Sequence, residues 1–176
     1  MEQIWAPWRL AFVQSKVKQE EPDLSKLNFL PGADQNCFIC QAIADPDHQK
    51  ERHVVAVGRK TLVVMNKYPY NNGHLLVTPQ RHVAQLSDLT SEEHLELMTE
   101  VTRMVELLKA TVNPDGFNVG LNLGAVAGAG LPGHLHWHIV PRWNGDTNFM
   151  PVFANVKVIP QSLDALWELL VEKGGA

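Results

Sequence analysis

Three histidines alternate with three apolar residues in the segment HLHWHI, residues 134–139. Successive side chains of a β-strand point to opposite faces, so this pattern predicts a strand with its imidazoles on one face and Leu135, Trp137 and Ile139 on the other. The apolar face must be buried against a core, which places the strand in a sheet covered on that side. Clustered imidazoles add little stability and repel one another when charged, so the histidine face favours a chemical role, either metal binding or catalysis.

Length and composition limit the classes of protein that this chain can belong to. At 176 residues, 45% hydrophobic and 19% charged, the chain is typical of one globular domain with a full core. The net charge of −4 provides no cationic field for a nucleic-acid backbone. We therefore expect a single domain over residues 1–176, no nucleic-acid partner, and any bound phosphate held by local groups.

Short β-branched segments bounded by turn residues predict five strands, at residues 53–57, 61–66, 74–78, 117–122 and 135–141. The connections between the first three are too short for helical crossovers, which favours antiparallel pairing. Polar residues and two prolines predict an irregular connection at 14–36.

Helical spacing predicts one long helix and two short ones. Thr90 and Glu93 form a capping-box pair, and apolar residues then recur at helical spacing up to the turn that begins at Asn113. The short helices are predicted at 37–44 and at about 163–172. Together with the strands, they predict an α+β fold with a mainly antiparallel sheet packed by one long helix.

A glycine-rich loop at 124–133 leads directly into the histidine segment. Glycines allow close approach of the backbone to an anion, and successive N–H groups can hold phosphate oxygens. For such a loop in isolation, a flexible connection without function is the better interpretation. Its position beside the histidines instead favours phosphoryl or nucleotidyl transfer with histidine as the nucleophile.

Cys37 and Cys40 have the spacing Cys-x-x-Cys. The first residues do not resemble an export signal, so metal binding or redox chemistry is favoured over a structural disulfide, and two buried reduced thiols remain an alternative. We expect a cytoplasmic protein, and no apolar run approaches the ~18 residues of a membrane span.

The segment 134–140 resembles the hallmark of the histidine-triad (HIT) superfamily, His-φ-His-φ-His-φ-φ, at every position. Three further segments make it similar to the bacterial diadenosine tetraphosphate phosphorylases, also called ATP adenylyltransferases: WAPWR at 5–9, GAVAGAG at 124–130 and PRWNGDTNFMPV at 141–152. The resemblance covers nearly the whole chain. It implies a HIT-like fold with an N-terminal extension at 1–36, a core at 37–141, a C-terminal extension at 142–176, and a homodimer.

The resemblance also assigns chemistry to the histidines. It implies that His136 attacks the α-phosphorus of a dinucleoside polyphosphate, that a nucleotidyl-histidine forms, and that inorganic phosphate releases the nucleotide, so that diadenosine tetraphosphate and phosphate give ATP and ADP. His138 would donate a hydrogen bond to the phosphoryl oxygens. A hydrolase of dinucleoside polyphosphates or nucleoside phosphoramidates is the alternative, and a nucleotide-binding module without turnover is the third.

The remaining site residues also follow from the resemblance. Asn66 takes the position of the ribose-binding group and Asn122 that of a polar residue near phosphate and ribose. Gly128, Gly130 and Gly133 supply the phosphate loop. Where the family usually has a Gln or Ser donor, this chain has Leu131-Pro132-Gly133, so backbone amides would take that role. Arg142 and Lys67 are candidates for the distal phosphates, with solvated surface charges as the equal alternative.

Some superfamily members hold a structural zinc ion with a Cys-x-x-Cys pair, a histidine after the third strand and the first triad histidine. The matching residues here are Cys37, Cys40, His82 and His134. Tetrahedral zinc sites commonly mix Cys and His ligands. The resemblance therefore implies a Zn²⁺ ion that supports the strand carrying His136.

Overall fold

The computed structural model describes residues 2–5, 24–147 and 156–175. The described residues form seven strands and three α-helices. The strands are β1 Glu2–Trp5, β2 Val54–Val57, β3 Thr61–Met65, β4 Leu75–Pro79, β5 Gly116–Leu121, β6 Trp137–Arg142 and β7 Val156–Ile159, and the helices are α1 Phe38–Ala44, α2 Ser91–Val112 and α3 Leu163–Leu170.

Five of the strands form one sheet in the order β2-β3-β4-β6-β5, with every neighbouring pair antiparallel. Each of the five predicted strands lies within two residues of an observed one. Strand β6 has a neighbour on each side: Leu76 of β4 and Gly120 of β5 are both paired with His138. The α+β fold with a mainly antiparallel sheet is therefore confirmed.

Helices cover both faces of this sheet. On one face, α2 and α3 pack against alternate residues of the strands, and this cluster includes Leu135, Trp137 and Ile139. On the other face, α1 packs through Ile39 and both cysteines against the intervening strand residues. Among the described residues, no helix is long and apolar enough to cross a membrane.

The capping box at the start of α2 is present, since Thr90 accepts from the Glu93 amide and Glu93 accepts from the Thr90 amide. The apolar residues that indicated the helix are not all on its buried side. Leu95 and Met98 are 72% and 49% exposed, and the buried stripe consists of Glu93, Leu97, Val101, Met104, Leu107 and Leu108. Apolar residues occupy more than one side of α2, and the position of the sheet decides which side is buried.

Two strands outside the main sheet were not predicted. β1 and β7 form a separate parallel pair, with Gln3 opposite Lys157. Parallel pairing between residues about 150 positions apart has no local sequence signal. Of the segments that carried the resemblance, residues 6–9 and 148–152 lie outside the described residues, as do residues 14–23 of the predicted connection.

Candidate active site and metal site

The three histidines lie on the face of the sheet opposite to α2. Leu135, Trp137 and Ile139 belong to the cluster under α2, whereas His138 is paired with Leu76, which packs with α1. His134 and His136 are buried and His138 is half-buried. The rings of His136 and His138 are 5.0 Å apart between centroids, edge to face. The alternation predicted from the sequence therefore places adjacent imidazoles together on one surface.

Hydrogen bonding fixes which nitrogen of His136 carries the proton. Its Nδ1 atom lies 2.7 Å from the backbone oxygen of His134. Since a carbonyl oxygen only accepts hydrogen bonds, a neutral His136 carries its proton on Nδ1 and keeps a lone pair on Nε2. This tautomer is the one that a nucleophile acting through Nε2 needs.

A second chain of contacts fixes the tautomer of His138. The Tyr70 amide donates to His74 Nδ1 at 3.0 Å, so the proton of a neutral His74 is on Nε2. His74 Nε2 then donates to His138 Nδ1 at 2.9 Å, which leaves the proton of His138 on Nε2. That Nε2 atom is buried and has no hydrogen-bond partner among the described residues. His138 therefore presents an unused N–H donor beside the free lone pair of His136.

The imidazoles of His74 and His138 are both neutral near pH 7. Burial, together with the charges of His138, His136 and Lys157, lowers the pKa of His74 to about 3. Burial and the charge of His136 lower the pKa of His138 to about 4. Protonation of His138 at Nδ1 would place a second proton between the two rings, and protonation of His74 at Nδ1 would oppose the Tyr70 amide, so these low pKa values preserve the relay.

The turn between β3 and β4 holds the Tyr70 amide in place. Asn66 accepts from the Tyr68 amide at 2.9 Å and directs its own Nδ2 to His74 Nδ1 at 3.2 Å. Gly73 has φ of +76°, and a Cβ at this position would meet Pro141 at 3.1 Å and Leu108 at 3.2 Å. Only glycine suits both the left-handed backbone and the close packing. Asn66 thus supports the turn, and its predicted contact with ribose remains a prediction.

The glycine-rich loop follows β5 and contains a short turn of 3₁₀ helix at Ala125–Ala127. Gly128 has φ of +89°, and its Cβ position lies 3.7 Å from Asn122 Nδ2, so the loop folds back towards Asn122. Gly130 has open space around its Cβ position. The loop is mostly exposed, and its phosphate contacts remain a prediction.

Four potential metal ligands converge at the start of α1. The ligand atoms of Cys37, Cys40, His82 and His134 all lie within 4.8 Å of one another. His134 Nδ1 lies 3.4 Å from Cys37 Sγ and 3.6 Å from Cys40 Sγ, and His82 Nδ1 lies 3.3 Å from Cys40 Sγ. These four residues could bind a metal ion.

The donor set fits tetrahedral zinc in both spacing and protonation. Zinc bond lengths of about 2.3 Å to sulfur and 2.0–2.1 Å to nitrogen separate S and N ligands by about 3.5 Å. His134 donates from Nε2 to the Pro79 oxygen at 2.8 Å, which leaves its Nδ1 lone pair facing the cysteines. Burial raises the pKa of Cys40 to about 12, so a bound cation would be needed to keep this thiol ionised.

A HIT domain model matches residues 47–145, which include the whole triad. The chain therefore belongs to the HIT family. AP-4-A phosphorylase of Mycobacterium tuberculosis is 40% identical over 163 residues, which cover 93% of this chain and 79% of that protein. A bis(5'-nucleosyl)-tetraphosphatase [asymmetrical] of Schizosaccharomyces pombe is 38% identical over 82 residues, or 47% of this chain and 44% of that protein.

Solved structures agree with this membership. A histidine triad nucleotide-binding protein of Sulfolobus tokodaii superposes with a TM-score of 0.63 at 27% identity, over 78% of this chain and 91% of that chain. A Zn-bound histidine triad family protein of Mycobacterium smegmatis has the same fold, with a TM-score of 0.63 at 23% identity over 78% and 92% of the two chains. Enzymes that act on dinucleoside polyphosphates are thus among the relatives of this chain.

His74 is not among the site residues predicted from the sequence, where it only begins the predicted strand 74–78. The structure instead puts it in hydrogen-bond contact with the third triad histidine. A signal was present, because His74 is the one ionisable residue of the predicted strand 74–78. The contact itself depends on the register between β4 and β6, which the sequence does not reveal.

Proposed function

We propose that this chain is a dinucleoside polyphosphate phosphorylase that converts diadenosine tetraphosphate and phosphate into ATP and ADP. The observation that carries the proposal is the free Nε2 lone pair of His136 beside the buried Nε2–H of His138, which has no hydrogen-bond partner among the described residues. The 40% identity to an AP-4-A phosphorylase over most of the chain supports this choice of substrate.

In the first displacement, His136 Nε2 attacks the α-phosphorus. An N–P bond forms, the bond from this phosphorus to the bridging oxygen breaks, and its electron pair leaves with ATP. The Nδ1 proton of His136 stays hydrogen-bonded to the His134 oxygen, which stabilises the positive charge that develops on the imidazole. His138 Nε2–H donates to an oxygen that gains negative charge.

In the second displacement, an oxygen of inorganic phosphate attacks the same phosphorus. A P–O bond forms, the P–N bond breaks, and ADP leaves while His136 regains its lone pair. Because ATP departs as a stable polyanion, hydrogen bonding and charge contribute more to its departure than full protonation does. This removes the need for a hydroxyl donor at Leu131-Pro132-Gly133.

The binding residues and the metal belong to the same proposal. Asn66 would bind ribose, and Asn122 with Gly128, Gly130 and Gly133 would bind phosphate and ribose oxygens. Zn²⁺ would be held by the four-residue site, which shares His134 with the segment that carries His136. Its role would be structural, because these four residues would fill a tetrahedral site and leave no position open for catalysis.

The remaining expectations follow from family membership. One HIT domain would extend over residues 1–176, with 37–141 as its core. The exposed edge strand β5 is available to join the sheets of two copies, which supports the expected homodimer. The cytoplasmic location stays a prediction that cell fractionation would test.

One assay separates phosphorolysis from its alternatives. The protein is incubated with diadenosine tetraphosphate, with and without inorganic phosphate, and the nucleotides are resolved by chromatography. ATP plus ADP that appear only with phosphate support the proposal. AMP plus ATP, or two ADP, formed without phosphate would identify a hydrolase instead, and nucleotide binding without any product would identify a binding module.

A further inference from the structure

Lys157 lies on β7, in the part of the chain that follows the HIT domain match. Its side chain is half-buried and shares a face of the strand with Ile159, which is 1% exposed, whereas Val158 between them is 40% exposed. Strand alternation therefore directs the Lys157 ammonium towards the body of the protein rather than towards solvent.

The segment that carries Lys157 lies against the turn that carries His74. Gln161 accepts a hydrogen bond of 2.6 Å from Asn72 Nδ2, and Asn72 precedes His74 by two residues. Val158 and Pro160 line a cleft together with Asn71 and Asn72. The effect of the Lys157 charge on His74, described above, is consistent with this proximity.

Lys157 differs in its contacts from the two cations predicted for the distal phosphates. Within residues 24–147 and 157–174, it forms no ion pair with a carboxylate. Burial lowers its pKa, the charge of Arg142 acts in the same direction, and the charge of Asp146, which Arg142 already binds, acts against both. Arg142, one of the two residues predicted for the distal phosphates, is bound by Asp146 through two contacts of 2.6 Å and 3.0 Å and also donates to Asn118. Lys67, the other, is exposed.

We infer that Lys157 binds the phosphate oxyanions beyond the α-phosphate, beside the His74–His138 pair. This inference rests on the proposed function, since the ligand is the polyphosphate of the proposed substrate. A half-buried ammonium that contacts no carboxylate among these residues is poorly compensated for the loss of water and gains most when an anion reaches it. Lys157 thereby serves as a contact for the leaving group.

The same position also serves the incoming phosphate. In two successive displacements at one phosphorus, inorganic phosphate must attack from the side on which ATP departed. One cation placed there contacts the terminal γ-phosphate of the leaving ATP in the first step and the attacking phosphate in the second. The departure of ATP and the binding of the incoming phosphate therefore both depend on Lys157.

The test compares ATP and AMP binding to Lys157→Met by calorimetry, in a His136→Gln background that prevents turnover. A charge-assisted contact contributes about tenfold in affinity, so we expect ATP to bind about tenfold more weakly while AMP binding changes less than twofold. Lys157→Arg should retain most of the ATP affinity. Lys109→Met, which removes a surface lysine paired with Glu106, should change neither affinity.

Steady-state kinetics of Lys157→Met with His136 intact test the contact with the incoming phosphate separately from the contact with ATP. Lys157→Met should raise the KM for phosphate about as much as it weakens ATP binding. Equal loss of ATP and AMP binding in Lys157→Met would indicate a folding role and overturn the inference. Unchanged ATP binding in Lys157→Met, or weakened ATP binding in Lys67→Met instead, would also overturn it. If the unmodified enzyme forms no ATP and ADP from diadenosine tetraphosphate, the proposed function fails, whereas the ATP and AMP affinities still decide the role of Lys157.

Discussion

The Nε2 atom of His74 lies 2.9 Å from the Nδ1 atom of His138. Because the Tyr70 amide already occupies Nδ1 of His74, this contact has one direction, from His74 to His138. A backbone amide in a turn thus decides that His138 is a donor at Nε2, where the substrate is expected. His74 acts through His138 and is a positioning residue.

Replacement of His74 tests this relay. His74→Phe keeps the ring volume but removes the donor to His138 Nδ1, so His138 can adopt the tautomer that lacks a proton on Nε2. We expect kcat to fall by roughly 10- to 100-fold, somewhat less than for loss of a whole oxyanion donor, with KM changed less than threefold. Steady-state kinetics measure both, and His94→Gln on the exposed side of α2 is the control. A kcat within twofold of the unmodified enzyme would show that His74 does not position His138.

The pH dependence of stability follows from the same pair. The folded-state pKa of His74 is about 3 and that of His138 about 4, below the unfolded value of about 6.5. Below pH 6.5 the unfolded chain binds protons that the folded protein does not, so stability falls as pH drops towards 4. Denaturant unfolding between pH 6.5 and 5 should show that the free energy of unfolding falls more steeply with decreasing pH for the unmodified protein than for His74→Phe. Glu93, whose pKa is lowered to about 2 by Arg81, loses its contribution to the free energy of unfolding only below this pH range and so does not affect the comparison. Parallel curves for the two proteins would contradict the assignment.

Two leucines two residues apart on α2 test which side of the helix is buried. Leu97 is fully buried in the cluster under α2, whereas Leu95 is 72% exposed. Leu97→Ala should lower the free energy of unfolding by about 2–5 kcal/mol because it leaves a cavity. Leu95→Ala should change it by less than about 0.5 kcal/mol. Urea titrations followed by circular dichroism measure both, and equal losses would mean that α2 packs differently.

The metal site has a direct analytical test. Purified protein should contain about one equivalent of zinc, and Cys37→Ser should remove most of it and lower the thermal midpoint. Gly133→Val probes the same site from outside, because a Cβ at this position would meet His82 Nε2 at 3.1 Å. His94→Gln, outside the site, should keep its zinc. Metal content unaffected by Cys37→Ser would show that these four residues do not bind the zinc.

Local patterns predicted much of the fold and the candidate site. The alternation of His134, His136 and His138 with apolar residues is a property of one short segment that leads into β6 at Trp137, and the Thr90–Glu93 capping box is a property of one helix end. Both are decided by residues close in sequence, and the structure contains both. The four metal donors, in contrast, came from resemblance, since nothing local connects Cys37 with His134.

The features that were missed depend on contacts between distant parts of the chain. The His74–His138 contact requires the register of β4 against β6, and the inward direction of Lys157 requires the pairing of β7 with β1 near the other end of the chain. The buried side of α2 is set by the sheet beneath it. In each case the local sequence is compatible with several arrangements, and tertiary packing selects one.

Detection of the covalent intermediate is the most direct test of His136 as the nucleophile. The protein is mixed with diadenosine tetraphosphate in the absence of phosphate, quenched at alkaline pH, where phosphohistidine-type bonds persist, and measured by intact-mass and peptide mass spectrometry. We expect one adenylyl group on His136, released as ADP when phosphate is added, and none on His136→Gln. An adduct on another residue, or phosphate-dependent turnover by His136→Gln at a rate near that of the unmodified enzyme, would contradict this assignment.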